Sequence, residues 1–419
     1  MSTNKKIDSE IGSLPEDWDF APLSDCVMIK GRIGWKGLKV SEYVEKGPYI
    51  VGGLQIENNG INWEECAHIT GERYFESPEI MLKENDILMT KDGTIGKLAY
   101  IRKLPANATV AAHIHVIRSS SDRIVPEFLF YIFQSPRFQS LVESKISGSV
   151  VPALTQRDIN SITFPIPPLD EQKAISKIFL DLDAKIELNR QMNKTLESMG
   201  QTIFKHWFIE FEFLDENGRP YKSSGGEMVD SELGMIPKGW KVKPLGDILE
   251  LAYGKALKEG ARHGGSIPVY GSNGQIGWHD EYLVKGPGII VGRKGNPGTI
   301  TWSSTNFFPI DTAFYVISKE TTMCLSYLFL SLQRQDLVGL SADSAVPGLN
   351  RNIAYMSSIL IPPSIVLSQF DSVLSTILRS IQQNNEQNSN LALIRDALLP
   401  ELMTGRIRVP ISNDMSGSS

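Results

Sequence analysis

Few of the side-chain patterns that carry covalent chemistry occur in this 419-residue chain. Gly93-Thr-Ile-Gly-Lys97 looks like part of a phosphate-cradling GxxxxGK[ST] loop, but it is too short and no hydroxyl residue follows the lysine. No GxGxxG opens a strand–helix unit, and HExxH and GxSxG are missing. The Asn/Asp-Pro-Pro-aromatic tetrapeptide of amino-methyltransferases is also absent. Glu143-Ser-Lys145 has the Glu-x-Lys pair of a nuclease centre without a convincing Pro-Asp partner. His113 and His115 alternate on an expected strand and so face one side, but no third metal ligand is in reach, which favours a core or surface role. Cys26, Cys66 and Cys324 lie far apart with no CxxC pair, which argues against both disulfides and zinc. The reading is therefore non-catalytic, with no metal and no cofactor bound by this chain.

Two basic, glycine-rich loops suit binding chemistry better. Lys91-Asp-Gly-Thr-Ile-Gly-Lys97 and Arg293-Lys-Gly-Asn-Pro-Gly298 each follow an apolar strand-like run. Glycines let backbone N–H groups approach a phosphate, lysine and arginine supply salt-dependent affinity, and arginine, asparagine and glutamine suit base edges. The candidate nucleic-acid contacts of the first half are Arg32, Lys36, Asn58, Lys91, Thr94 and Lys97. Those of the second are Lys255, Ser272, Asn273, Gln275, Arg293, Lys294 and Asn296. A lone lysine–glycine loop is usually a solvated turn. The same loop after the same strand in both halves speaks for a site. The net charge of −6 neither requires nor excludes a polyanion, because the local basic footprint decides.

The elements that position these loops are duplicated. Shifting residues 149–208 by 195 places lays Val151-Pro152 on Val346-Pro347, Leu154 on Leu349 and Pro167-Pro168 on Pro362-Pro363. Behind each Pro-Pro, apolar residues recur at steps of three and four, which predicts a helix to about Phe208 and Met403. Each would be ~57 Å long at 1.5 Å per residue. Asp170 and Ser364 are the expected N-caps. A single apolar stripe of that length needs a partner, and the other copy is the obvious one. A pseudo-twofold then pairs the helices antiparallel. The expected seam is Ile178, Leu182, Ile186, Asn189, Leu196 and Ile203 with Val373, Ile377, Ile381, Asn384, Leu391 and Leu398. Asn189 and Asn384, near the two midpoints, are expected to face each other as a register-fixing polar layer, unless both point to solvent.

Gly12 to Asp25, with Trp18, is echoed by Gly234 to Asp247, with Trp240, at a shift of 222 places, so the second copy is the shorter. Short strands between Gly, Pro and Asn turns, with helices over 126–146 and 321–340, predict an α/β (α+β) class for each globular region. The expected division is 1–168 and 233–363 for the globular domains, 169–211 and 364–409 for the spacer helices, 212–232 for a linker and 410–419 for a disordered tail. No apolar run approaches the ~20 residues that cross a bilayer, and MSTNKKIDSE has no signal segment, so a cytoplasmic location is expected.

These residues resemble the specificity subunit of type I restriction–modification systems. The likeness spans nearly the whole chain: the Pro-Pro-led helices, the endings Ile203 to Phe208 and Leu398 to Val409, the inter-half segment from Glu216 to Trp240, Val-Pro-x-Leu and the glycine-rich loops. It implies two target-recognition domains, each reading one half of a split, asymmetric site in double-stranded DNA. It also implies an antiparallel coiled coil that spaces them and docks two modification subunits. Those partners would bring S-adenosylmethionine for adenine methylation, and restriction subunits would bring ATP- and Mg-dependent translocation and cleavage. Pro297 in place of Ile95, with no lysine after Gly298, weakens the carry-over to the second loop. The alternatives are a single-chain restriction or modification enzyme, which lacks a catalytic motif, and a coiled-coil adaptor joining protein-binding domains.

Overall fold

The computed structural model describes residues 6–9, 12–31, 38–146, 153–262, 264–339, 341–342 and 348–410. Arg32, Lys36, both Val-Pro pairs and residues 411–419 of the expected tail lie outside them. The chain divides into two compact units, residues 1–186 with 389–419, and residues 187–388. Each unit holds one end of each long helix.

The two units share one topology. In unit 1 an antiparallel sheet runs in the order Leu98–Tyr100, Ile87–Thr90, Ile114–Ser119, Val27–Gly31. In unit 2 the same order is Ile300–Ser303, Gly288–Gly292, Ala313–Ser318, Leu249–Tyr253. Registers agree too: Ile114 faces Thr90, and Ala313 faces Gly292. Each unit adds a three-stranded sheet with one parallel pair, Ala108–Val110 beside Tyr43–Val51 and Phe308–Pro309 beside Ile267–Gly271. The central strands are buried along their length, as their unbroken apolar runs require. With mostly antiparallel sheets and helices packed to one side, the fold is the α+β form of the expected class.

Two expected helices are shorter or divided. The 126–146 stretch breaks into Pro126–Gln134 and Pro136–Lys145, because Pro136 pushes Ser135 into an extended conformation. Ser135 then caps the second piece by accepting from the Phe138 N–H. Among the described residues of the 321–340 stretch the helix covers Leu325–Arg334. Residues 212–232 form hydrogen-bonded turns, with Asp215 gripping Arg219 and Phe213 stacked on Tyr221 at 4.7 Å.

The long helices run Leu169–Phe208 and Ser364–Met403, 40 residues each. Helix start and cap are offset from expectation: Leu169 opens the first helix, so Asp170 sits inside its first turn, and Ser364 is itself helical. They pair antiparallel. In unit 2, Phe204 lies 6.0 Å from Phe370, and the Gly200 backbone meets Leu374. In unit 1, Asp183 takes a 3.1 Å hydrogen bond from Arg395, and Phe179 shares a core with Leu399 and Leu402.

The polar layer exists with a corrected register. Asn189 Nδ2 donates to Asn388 Oδ1 and Gln387 Oε1, both at 2.8 Å. Asn384 Nδ2 donates to Asn193 Oδ1, and Asn193 Nδ2 to Asn385 Oδ1, again at 2.8 Å. Under the 195-place shift Asn193 matches Asn388 and Asn189 matches Asn384, so the two contacts are reciprocal, as a twofold demands. The polar layer is therefore centred on Gln191 and Glu386, two places beyond the expected midpoints. Of the seam residues, Ile186, Asn189 and Ile377 are buried, and Ile178, Leu182, Leu196, Ile203, Ile381 and Leu398 pack part-buried against the cores. Asn384 and Leu391 are part-buried. Val373 does not belong there: it is 41 % exposed, and Leu374 takes the buried place.

Candidate nucleic-acid interface

The two glycine-rich loops have one conformation. Gly93 and Gly96 sit at φ 66° and 85°, and Gly295 and Gly298 at 86° and 82°, a region open to glycine and costly for other residues. Each loop closes by two hydrogen bonds, from the Gly96 N–H to Thr90 O and the Thr90 N–H to Lys97 O, both at 3.0 Å, and from the Gly298 N–H to Gly292 O at 2.9 Å and the Gly292 N–H to Thr299 O at 2.8 Å. In unit 1 the Thr90 hydroxyl tightens the turn further, donating to Thr94 O and accepting from the Lys97 N–H. In unit 2 the place of Thr90 is taken by Gly292, where a Cβ would collide with Asn296 O, and a Cβ on Gly298 would lie 2.9 Å from the backbone of Leu337 and Val338.

The leucine that ends the Val-Pro-x-Leu motif is bonded to the base of each loop. The Leu154 N–H donates to Lys91 O and the Leu349 N–H to Arg293 O, both at 2.9 Å. Both leucines are buried. In unit 1 the anchor is deepened by His115, whose Nε2–H reaches Leu154 O at 3.0 Å. Burial pulls the His115 pKa below its ordinary value and keeps the ring neutral. His113 does not share its face. It precedes the strand, is exposed, and pairs with Asp92 at 2.7 Å. Among the described residues no group of three or more His, Cys, Asp or Glu side chains could hold a metal. Glu143 is exposed on the outer face of its helix.

Several candidates come together. In unit 1, Asn58 and Asn59 form a two-residue hairpin turn, both with positive φ, as a type I′ turn requires. Asn58, Lys97, Gln139 and Arg395 line one cleft of about 600 Å³. Lys97 Nζ is steadied by Gly53 O at 3.2 Å, and Thr94 is exposed at the loop tip with Lys91 part-buried at its base. In unit 2, the hairpin tip carrying Ser272, Asn273 and Gln275 lies against the loop carrying Arg293, Lys294 and Asn296: a Cβ on Gly292 would come 2.8 Å from Ser272 O. Asn273, Gln275, Lys294 and Asn296 are exposed. Lys255 is exposed beyond the neighbouring strand, its N–H bonded to Pro309 O.

Reading the sequence missed three residues. Arg395 reaches the unit 1 cleft from the second helix. Tyr253 and Arg351 flank Arg293, with each guanidinium 5.0 Å from the Tyr253 ring centre. The one signal for Arg351 was its place two residues after the motif leucine, where the first half has Gln156.

The family model described as the type I restriction modification DNA specificity domain matches residues 15–198 and again 237–393. The chain belongs to this family. Its two matches are the two copies of the duplicated module. A relative described as the type I restriction enzyme MjaIX specificity subunit of Methanocaldococcus jannaschii is 26% identical, aligned over 96% of each chain. The HindI specificity subunit of Haemophilus influenzae is 24% identical over 78% of this chain and 87% of its own. The crystal structure of a type I restriction–modification S subunit from M. genitalium superimposes with a TM-score of 0.58 at 16% identity, over 96% of this chain and 99% of that one. That likeness shows a common fold. Among the described residues no helix is long and apolar enough to cross a membrane.

Proposed function

We propose that this specificity-family chain is the DNA-reading subunit of a type I restriction–modification assembly, each unit reading one half of a bipartite, asymmetric site. One observation carries this reading: two units of one topology present the same backbone loop, furnished with different side chains. Equal backbones make equal docking platforms, and unlike side chains make unlike readers. The paired helices act as the spacer between them and as the surface for two modification subunits. Methyl transfer to adenine from S-adenosylmethionine, and ATP- and Mg-dependent cleavage by restriction subunits, belong to those partners, while this chain supplies recognition.

The test is to insert seven helical residues after Gln191 and seven after Glu386. In an antiparallel pair this keeps Asn189 opposite Asn388 and Asn193 opposite Asn384, and the new heptads face each other. The spacer grows by ~10.5 Å at 1.5 Å per residue, about three base pairs at 3.4 Å each. Methylation mapping with the partner subunit is expected to show unchanged half-sites separated by roughly three more unspecified pairs. Altered half-sites, or an unaltered gap, would overturn the proposal.

A further inference from the structure

Tyr253 ends an edge strand of the unit 2 sheet and is 52 % exposed. Two guanidinium groups lie on its ring, Arg293 and Arg351, each 5.0 Å from the centre. Each has a second aromatic neighbour at 5.8 Å, Phe314 for Arg293 and Tyr355 for Arg351. Each is also tethered by one carbonyl, Asp311 O at 2.8 Å and Leu251 O at 3.3 Å. A guanidinium carries five N–H donors in a plane, so stacking plus one tether fixes its orientation and leaves most donors unused. No ion pair joins either group to a carboxylate among the described residues. Two like charges held on one ring repel each other, an arrangement that an incoming anion relieves.

Unit 1 has the same four positions and fills them differently. Gly31 stands where Tyr253 does, since Gly31 faces His115 in its sheet as Tyr253 faces Phe314. Lys91 matches Arg293 beneath the motif leucine, and Gln156 matches Arg351 two residues after it. At these positions unit 1 thus offers one cation and no tyrosine ring, against two cations and a tyrosine in unit 2.

We infer that Tyr253, Arg293 and Arg351 form a two-guanidinium clamp for backbone phosphates of duplex DNA, one that the matching positions of unit 1 do not reproduce. The inference rests on the DNA-reading role proposed above. Planar forks suit phosphate oxygens better than a lysine point charge does, and contacts of this kind fix position without reading sequence.

The experiment measures affinity of the full chain, mixed with its modification partner, for a random-sequence 40-base-pair duplex across a KCl series. Each phosphate contact contributes about 0.9 to the slope of log K against log salt. Arg293→Gln with Arg351→Gln removes both charges while keeping polar side chains and is expected to shallow that slope by about 1.8. Lys91→Gln in unit 1 is expected to shallow it by at most about 0.9. Tyr253→Phe retains the ring and the wild-type slope, whereas Tyr253→Ala releases both forks and reproduces the double variant. An unchanged slope in the double variant, or losses no larger than in unit 1, overturns the clamp while leaving the DNA-reading role standing. No salt-dependent binding by the wild-type complex overturns both.

Discussion

Arg408 offers a sharp test of how unit 1 is closed. Its Nε and Nη2 donate to Glu171 at 2.6 and 2.8 Å, and its Nη1 and Nη2 donate to Asp17 at 2.9 and 2.6 Å. The Trp18 indole N–H adds a 2.9 Å bond to the same Glu171, and Arg408 lies 5.8 Å above the Trp18 ring. Glu171 is only 1 % exposed. Arg408→Ala therefore leaves a buried carboxylate with one remaining donor. Removing one partner of a fully buried pair costs about 3–5 kcal/mol. Because the Arg408 side chain is 36 % exposed, water recovers part of that, and about 2–3 kcal/mol is expected. For a unit of this size that lowers Tm by roughly 4–12 °C. Unit 2 shows what an apolar version looks like. Under the 195-place shift Arg408 matches Phe213, whose ring centre lies 5.0 Å from that of Trp240, and Glu171 matches buried Val366. The double variant Arg408→Phe with Glu171→Val is thus expected to recover all but about 1 kcal/mol, the cost of the orphaned Trp18 N–H. Hydrogen exchange of unit 1 peptides through a urea series reads the effect, and unit 2 peptides are the internal control. If Arg408→Ala leaves unit 1 protection unmoved, or the double variant is worse than the single, the reasoning is wrong.

Two further outcomes follow from the same geometry. Asn193→Leu strands Asn384 Nδ2 and should destabilise unit 2 by about 1–2 kcal/mol, whereas Asn193→Leu with Asn384→Leu should restore stability and loosen register; a double-mutant cycle with no coupling would refute this. His115 is neutral when folded, its pKa lowered by burial, so the unfolded chain takes up a proton first as pH falls below the ordinary value of 6.5. Unit 1 stability should accordingly decline with acidification from that point, and His115→Phe, the residue unit 2 has there, should flatten the decline; an equally steep acid loss in that variant would count against it.

The amino-acid pattern carried the large features because they are repeated. Two Pro-Pro-led stripes with one spacing announced paired helices, and two glycine loops behind matching strands announced matching platforms. Local chemistry decided what the pattern blurred. Pro136 broke a helix whose apolar periodicity ran straight through it, and the burial of Leu374 in place of Val373 reflects a stripe whose phase drifts along 40 residues. The asparagine register was missed by two places because a twofold pairs Asn189 with the image of Asn193, and periodicity does not say where the axis falls. Tyr253 and Arg351 were invisible as a pair, since one ends a strand and the other opens a short helix nearly a hundred residues later. His113 and His115 looked equivalent until the strand was seen to begin between them.

The division of the long helices between the units has a consequence for birth at the ribosome. Residues 187–388 arrive as one stretch, but the core around Trp18, Ile175 and Phe179 needs Leu399, Leu402 and Met403 to close it. Translation at ~5–20 residues per second leaves that greasy face waiting for roughly 200 residues, or about 10–40 s. The half made first is finished last, and a nascent chain stalled midway would expose the surface that chaperones bind.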